Sequence, residues 1–307
     1  MNIIETFPRP GGIFWGKITR DLLKPLACWS DVVLNDSQLN GPENEVVNPV
    51  ESIRHAYSMK AGGADGVVFA DGKYWPGVPG LFVPKRFWSS VNCLGVFVDA
   101  HGKPSVYWPQ QCRLWTAAEA FGAWLVNQNT GLPIEAGAPR VRFFDLTNRP
   151  FARVFAAELA ATARQVDGLF LDEAHSTLGF MRSLGPFRPS DEEWTEALRY
   201  ILRQYATMMR GAPKPVVTNG TFGRQESSVV SGRFWQAVTM ADIEKVLDDA
   251  EGAQFTMVHS CAGLLTPDQL RVLAGAVPSG EACWQFTQHN GAFDAANVFP
   301  GTVGVTA

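Results

Sequence analysis

The residues with the clearest chemical potential are two adjacent carboxylates, Asp172 and Glu173, in the segment VDGLFLDEAH at 166–175. They end an apolar run, 169–171, that follows an Asp-Gly turn. A run this apolar is typical of a strand buried on both faces of a parallel sheet. The carboxyl ends of such strands carry the active sites of α/β folds. Because buried structure rarely tolerates unpaired acids, the pair predicts either chemistry or an ion pair.

The letters DEAH also occur in the Walker B motif of helicases, but that motif works together with a phosphate-binding loop, GxxxxGK[ST]. The chain has no such loop, and the nearest string, HGKPS at 101–105, has Pro104 in place of Ser or Thr. The net charge is −4 and no cluster of Lys or Arg is present. We therefore expect neither an ATPase nor a nucleic-acid partner.

The composition predicts a globular protein. Apolar residues make up 46% of 307 positions, enough for a substantial core. The chain has neither a stretch of roughly 18 apolar residues nor a basic and then apolar leader, so we expect no membrane partner and no signal peptide. A cytoplasmic location follows, or a virion if the protein is phage-encoded. The five Cys are widely spaced, which favours free thiols, and no motif indicates a cofactor.

Capping patterns mark the helix starts. Asn148 followed by Pro150 predicts a helix over FARVFAAELAATARQV, and Asn48 with Pro49 predicts an earlier helix that ends at Gly62. Four further segments have the spacing of capping boxes or close variants: 116–119, 190–193, 239–242 and 266–269.

Short apolar runs lie between these helices, at 31–35, 66–70, 94–100, 141–148, 168–173, 215–220, 233–238, 255–260 and 282–287. The alternation predicts βαβ units around a parallel sheet, and about eight units is the size of a (β/α)8 TIM-type barrel. A doubly wound sheet is the alternative, but the chain lacks its GxGxxG turn. We predict a single-domain α/β barrel over 31–307, with a long rim loop near 71–90. Residues 1–30 would be an N-terminal extension or the first barrel elements.

On such a barrel the carboxyl ends of the strands bring polar residues to one rim. We predict Asp145, Asp172 and Asn219 there, because Asn148 already serves as the helix cap and leaves Asp145 for another role. Three other acids at strand ends are better explained as turn formers or helix caps: Asp36, Asp71 and Asp99.

Three segments, DLTNRPFARVFAAEL, VDGLFLDEAH and PVVTNG, resemble in order and spacing the glycoside hydrolase-like TIM-barrel families related to the α-galactosidase and α-amylase superfamilies. The resemblance covers about residues 140–290. It implies a polysaccharide or oligosaccharide as ligand, with Asp172 as nucleophile or charge stabiliser, and it places Asp145 and Asn219 in the site. The other candidates for binding the substrate are His175, Trp235, Trp284 and His259.

Glycoside hydrolysis needs two carboxylates, about 5–5.5 Å apart for retention and about 6.5–9.5 Å apart for inversion. Glu173 would point away from Asp172 on an extended strand, unless the strand has already ended. The families that the chain resembles often place the second acid at the end of a later strand. This chain has Gln236 there, which cannot donate a proton as a carboxylic acid does. Glu226 and Glu281 are the candidate substitutes on nearby loops.

Three functions therefore remain open. The first is a glycosidase whose catalytic candidates are Asp172, Glu173 and Asp145. The second is a catalytically degenerate barrel that binds carbohydrate or serves, with other subunits, as a structural component of an assembly such as a phage tail. The third is a metal hydrolase using Asp172, Glu173, His175 and His259. No HxH or HExxH pattern supports it, so we predict no metal site.

Overall fold

The computed structural model describes residues 12–14, 33–35, 66–69, 86–99, 101–104, 109–137, 140–164, 166, 168–235, 238–261 and 281–287. Side chains are described for 91–99, 101–104, 113–137, 140–164, 166, 168–235 and 238–254.

The described strands, in chain order, are β1 (Gly12–Phe14), β2 (Val33–Asn35), β3 (Gly66–Phe69), β4 (Arg86–Asn92), β5 (Gly95–Phe97), β6 (Glu135–Ala136), β7 (Val141–Phe143), β8 (Gly168–Asp172), β9 (Val216–Asn219), β10 (Gly232–Trp235), β11 (Phe255–Cys261) and β12 (Glu281–Thr287). Nine of them form one sheet in the order β1-β2-β3-β4-β8-β9-β10-β11-β12, and every neighbouring pair is parallel. Backbone of β1 also lies within 8 Å of β12. The predicted α/β class with a parallel sheet is confirmed.

Two of the predicted barrel strands belong elsewhere. The runs at 94–100 and 141–148 contribute β5 and β7, which form a separate antiparallel sheet in the order β5-β7-β6. A short apolar run does not encode the direction of its partner strand, so the sequence pattern could not distinguish the two sheets. The predicted rim loop near 71–90 is also too long, because β4 begins at Arg86 and takes a place in the parallel sheet beside β8.

The described helices are α1 (Pro109–Phe121), α2 (Arg149–Ala163), α3 (Asp191–Met208) and α4 (Ile243–Ala250), with 3-10 turns at Gly179–Leu184 and Met240–Asp242. None of the helices in this described part combines the length and apolar character needed to cross a bilayer.

Three of the predicted helix caps are confirmed. The Asn148 side chain accepts the Phe151 N–H at the start of α2, and Ser190 with Glu193 forms the capping box of α3. The box at 239–242 opens the 3-10 turn before α4. The predicted start at 116–119 is wrong, because those residues lie inside α1. The segments at 48–51 and 266–269 lie outside the described residues.

The two faces of the parallel sheet bury different side chains. Leu169, Leu171 and Val216 face the helices and join the main core. The opposite face carries Phe170, whose ring centroid lies 5.6 Å from that of Phe234 on β10. We call this the inner face; it is defined by Phe170, Asp172, Asn219 and Phe234, and strand pleating places them on one side. Asp172 and Asn219 therefore end adjacent strands on the same face.

Truncating Phe155 should destabilise the fold because its ring is fully buried on α2, packed edge-on against Phe144 and Phe151. We expect Phe155→Ala to lower the free energy of unfolding by about 3–5 kcal/mol in urea denaturation, through lost burial and a residual cavity. Phe121→Ala is the matched control: that ring is 44% exposed, so the change should stay within about 0.5 kcal/mol. Equal effects of the two variants would contradict the packing described for α2.

Candidate functional site

Asp172 ends β8 in a half-buried position, and its Oδ1 accepts two hydrogen bonds. The Asn219 side-chain amide donates one at 2.8 Å, and the Glu173 backbone N–H donates the other at 3.1 Å. Among the residues that the structure describes, none donates to Oδ2. The site thus fixes one carboxylate oxygen of Asp172, Oδ1.

The surroundings of Asp172 disfavour the ionised form of its carboxyl group. Burial, and after it the nearby charge of Glu173, raise the pKa of Asp172 to about 6, although the hydrogen bonds from Asn219 and the Glu173 N–H, together with His175, act in the opposite direction. Perturbed carboxyl pKa values of this kind concentrate at functional sites. A carboxyl with this pKa can be either protonated or ionised near neutral pH.

Glu173 does not continue the strand. Its backbone is left-handed, with φ of 55°, which is rare for a residue with a side chain and costs about 1–2 kcal/mol. The strand has therefore ended, and the alternation that would point Glu173 away from Asp172 does not apply. The Glu173 side chain is 40% exposed and its Oε2 lies 2.9 Å from Nε2 of His175.

His175 is held in place from two sides. Its imidazole pairs with Glu173, and its backbone carbonyl accepts the indole N–H of the fully buried Trp194 on α3 at 2.8 Å. The next residue is fixed in the same way, since the Thr195 hydroxyl donates to the Ser176 carbonyl. His175 is thus paired with Glu173 on a loop that α3 anchors.

The loops after β8 and β9 are joined by backbone hydrogen bonds. The Ala174 N–H donates to the Asn219 carbonyl at 2.6 Å, and the Phe222 N–H donates to the Ala174 carbonyl at 2.9 Å. Gly220 permits this approach: its φ is 131°, and a Cβ there would overlap the Ala174 carbonyl oxygen. Arg233 adds a further tie from β10 by donating to the Gly220 carbonyl at 2.6 Å.

The hydrogen bonds of Asp145 are separate from those that join Asp172 and Asn219. Its Oδ1 accepts the backbone N–H and the hydroxyl of Thr147, so it shapes the turn before α2. Burial raises the pKa of Asp145, and the charge that adds to this effect is that of Glu193. The structure therefore brings Asp172 and Asn219 together and ties Asp145 to its own turn. Asp99 is a turn former, as predicted, because it accepts the N–H groups of His101 and Lys103.

Trp235 lies on the side of β10 opposite the inner face. Its indole N–H donates to Asp249 on α4 at 3.2 Å, and the guanidinium of Arg233 lies 4.1 Å from its ring centroid. Its neighbour Phe234, rather than Trp235, therefore occupies the inner face that carries Asp172. Glu226 accepts the Gly223 N–H, and its charge acts on Arg233 and Asp249 on that same opposite side.

The remaining candidates fall beyond the described side chains. His259 lies on β11, Trp284 on β12, and Glu281 is the first residue of β12, but only their backbone is described. Gln236 lies outside the described residues altogether. Within the described part of the chain, no group of three or more His, Cys, Asp or Glu side chains could hold a metal ion.

Two residues near the site escaped the sequence analysis. Asn92 ends β4 in register with Asp172, and its buried Oδ1 accepts the N–H groups of Leu94 and Gly95. Phe180, in the 3-10 turn after β8, is 53% exposed and its ring centroid lies 4.9 Å from that of His175. Asn92 could have been found as a polar residue ending a run, but the run RFWSSVN is not apolar enough to indicate a strand. For Phe180, no motif in the surrounding sequence indicates a position near the site.

No protein-family model matches the chain, and no curated protein matches it. Among solved structures it is similar to a variant of the glycoside hydrolase domain of PelA from Pseudomonas aeruginosa, at 14% identity and a TM-score of 0.44 over 86% of this chain and 88% of that one. It is also similar to the catalytic domain of a beta-amylase from Paenibacillus polymyxa, at 7% identity and a TM-score of 0.44 over 97% and 99% of the two chains.

A third similar structure is an alpha-xylosidase from a soil metagenome, at 13% identity and a TM-score of 0.44, covering 93% of this chain but 36% of that one. The chain thus spans about a third of the length of the xylosidase. All three structures are glycoside hydrolases.

Gly220→Ala should loosen the contact between the loops after β8 and β9, because the new Cβ would overlap the Ala174 carbonyl. Alanine would also be strained by the positive φ of this position. We expect a loss of at least about 2 kcal/mol in the free energy of unfolding. Gly211→Ala is the control: its φ is 75° but nothing lies within 4 Å of a Cβ there, so only the backbone cost of about 1 kcal/mol applies. Urea denaturation measures both, and equal losses would rule out the close approach.

Asp172 should make stability depend on pH. Its pKa is raised from 3.8 to about 6 on folding, so the folded chain binds the proton more tightly than the unfolded chain does. This contribution is present below about pH 4 and is lost as pH rises through about 6, a change of about 3 kcal/mol at about 1.4 kcal/mol per pKa unit. Asp172→Asn removes the titration and keeps an oxygen acceptor. The stability of the wild type relative to this variant should therefore fall between pH 4 and pH 7; a constant difference would contradict the raised pKa.

Proposed function

We propose that the chain is a glycoside hydrolase-like protein that acts on a polysaccharide or oligosaccharide, with Asp172 as nucleophile or charge stabiliser. The observation that carries the proposal is the environment of this carboxylate. Asp172 ends a central parallel strand on the inner face, with one oxygen held by the Asn219 amide. The motif resemblance around Asp145, Asp172 and Asn219 points to the same chemistry.

Asp172 suits the charge that develops in glycoside hydrolysis. The oxocarbenium-like transition state is positive, and an ionised carboxylate beside it stabilises it electrostatically. The Asn219 amide holds Oδ1, so Oδ2 is the oxygen that would meet the anomeric carbon. Burial and the charge of Glu173 disfavour the ionisation of Asp172. A positive charge arriving with the transition state would therefore relieve this penalty.

We assign the proton-transfer role to the Glu173–His175 pair. The second group of a glycosidase must deliver a proton to the leaving oxygen. Glu173 is the carboxylate whose charge acts on Asp172, it is partly exposed, and it shares a 2.9 Å contact with His175. Asp145 and Glu226 are each engaged by their own loops, so they are placed outside the reacting pair.

The proposal includes closure of the sheet into a TIM-type barrel. The sequential strand order, the uniform parallel pairing and the proximity of β1 to β12 support closure, with the site at the carboxyl ends of the strands. Of the two alternatives for residues 1–30, closure favours first barrel elements, because β1 would then join the barrel domain predicted over 31–307. His259 and Trp284, on the last two strands, remain the proposed substrate contacts from that side.

The alternative is a catalytically degenerate barrel that binds carbohydrate or builds an assembly with other subunits, such as a phage tail in a virion. One observation favours it: Glu173 Oε2 is occupied by His175, and Glu173 is the carboxylate that acts on Asp172 in the described site. If that pair cannot release a proton to the leaving group, the site would bind the saccharide without cleaving it. Under this alternative the protein would be a virion component, whereas under the first proposal it would be a cytoplasmic enzyme.

Hydrolysis should depend on Asp172 and Glu173 in different ways. Asp172→Asn should lower kcat/KM by about 10³-fold or more on every substrate, because the stabilising charge is lost. Glu173→Gln should lower turnover of native polysaccharides by about 10²–10⁴-fold, but spare activated aryl glycosides, whose leaving groups need little proton assistance. Asp99→Asn is the control acid and should leave both rates unchanged.

The measurement is hydrolysis of aryl glycosides beside reducing-sugar release from native polysaccharides. Wild-type rates in Asp172→Asn would remove this residue from the mechanism. Equal losses on both substrate classes in Glu173→Gln would contradict an acid role. Binding of polysaccharide without cleavage of either class would favour the degenerate barrel.

A further inference from the structure

We propose that Phe180 and His175 form a stacking platform that holds one pyranose ring of the saccharide beside Asp172. This inference rests on the function proposed above and deepens it by assigning a sugar-binding surface. Phe180 is a large aromatic side chain that is 53% exposed, and its ring centroid lies 4.9 Å from that of His175 at an interplanar angle of 56°.

The exposure of Phe180 is not the result of a loose segment. Its neighbours Leu178 and Met181 are fully buried and anchor the 3-10 turn on both sides of it. The Leu178 N–H donates to Asp191 at the start of α3, and the Arg182 guanidinium donates to carbonyls at Phe187 and Pro189. The turn is therefore tied to the protein around a ring that faces solvent. Rigid exposed aromatic side chains are typical of binding surfaces.

The neighbours of the ring match the two chemical surfaces of a sugar. A pyranose has an apolar face of C–H groups and a rim of hydroxyls. Phe180 offers a flat apolar surface, while His175 beside it, and Glu173 paired with His175, offer hydrogen-bonding and charged groups. An aliphatic ligand would make no use of these polar groups, and a fully polar ligand would leave the ring unused. A saccharide uses both.

The platform also has a fixed position relative to the reacting carboxylate. His175 is held by Glu173 and by the Trp194 indole, and Glu173 follows Asp172 directly in the chain. A ring stacked on Phe180 would thus lie beside His175, which is paired with the residue next to Asp172. Trp235, which the sequence analysis assigned to this role, contacts α4 instead.

The test is affinity electrophoresis in native gels that contain laminarin, xylan, dextran or soluble starch. All variants carry Asp172→Asn so that the polysaccharide is not cleaved during the run. Phe180→Ala and Phe180→Leu should weaken binding of the retained polysaccharide by about ten-fold, because both remove the flat face. Phe180→Trp should keep binding. Phe121→Ala, which truncates an exposed Phe elsewhere, is the control and should bind as the parent does.

Saturation-transfer NMR on the same samples adds a readout that a purely structural role would not change. Sugar C–H protons of one pyranose face should receive the strongest transfer, and Phe180→Ala should abolish that pattern while the thermal unfolding midpoint stays unchanged. Undiminished binding in Phe180→Ala and Phe180→Leu would overturn the platform and leave the proposed function intact. Failure of the parent protein to bind any of the four polysaccharides would overturn both.

Discussion

The hydrogen bond from the Asn219 amide to Asp172 is the interaction on which the site depends. It joins the ends of β8 and β9, and it can form because both strands run parallel and present these residues on the inner face. The bond partly offsets the burial of the carboxylate, whose pKa is nonetheless raised to about 6. The backbone bonds between Ala174 and the residues around Gly220 keep the two strand ends at the distance that this contact requires.

The backbone of the site is strained at one residue, Glu173. Glu173 adopts a left-handed conformation at the residue where the strand stops, and the surrounding contacts maintain it. Such conformations persist only when the rest of the structure over-determines them, and they concentrate at functional sites. Here the conformation has a chemical consequence, because it frees Glu173 from the alternation of the strand and lets it meet His175. A relaxed strand would direct the same side chain to the opposite face.

Helix α3 links the core of the protein to this chemistry. Its capping box at Ser190 fixes where the helix begins, and its first turns bring Trp194 to the carbonyl of His175. The start of α3 also holds the 3-10 turn that carries Phe180, because Asp191 accepts a hydrogen bond from the Leu178 N–H. Packing of α3 against α2 thus sets the position of a loop that could not hold its own shape, since loops depend on the scaffold for precise placement.

The sequence by itself determined the features that depend on near neighbours in the chain. The caps at Asn148 and Ser190 were predictable because a side chain bonds a backbone N–H three residues ahead. The end of β8 at Asp172 was predictable because the apolar run stops there. Only the tertiary structure decided that β5 and β7 leave the parallel sheet, and that Trp235 faces α4 while Phe180 stands beside His175. These outcomes depend on which distant segments pack together, and the residue types along one short segment do not encode that choice.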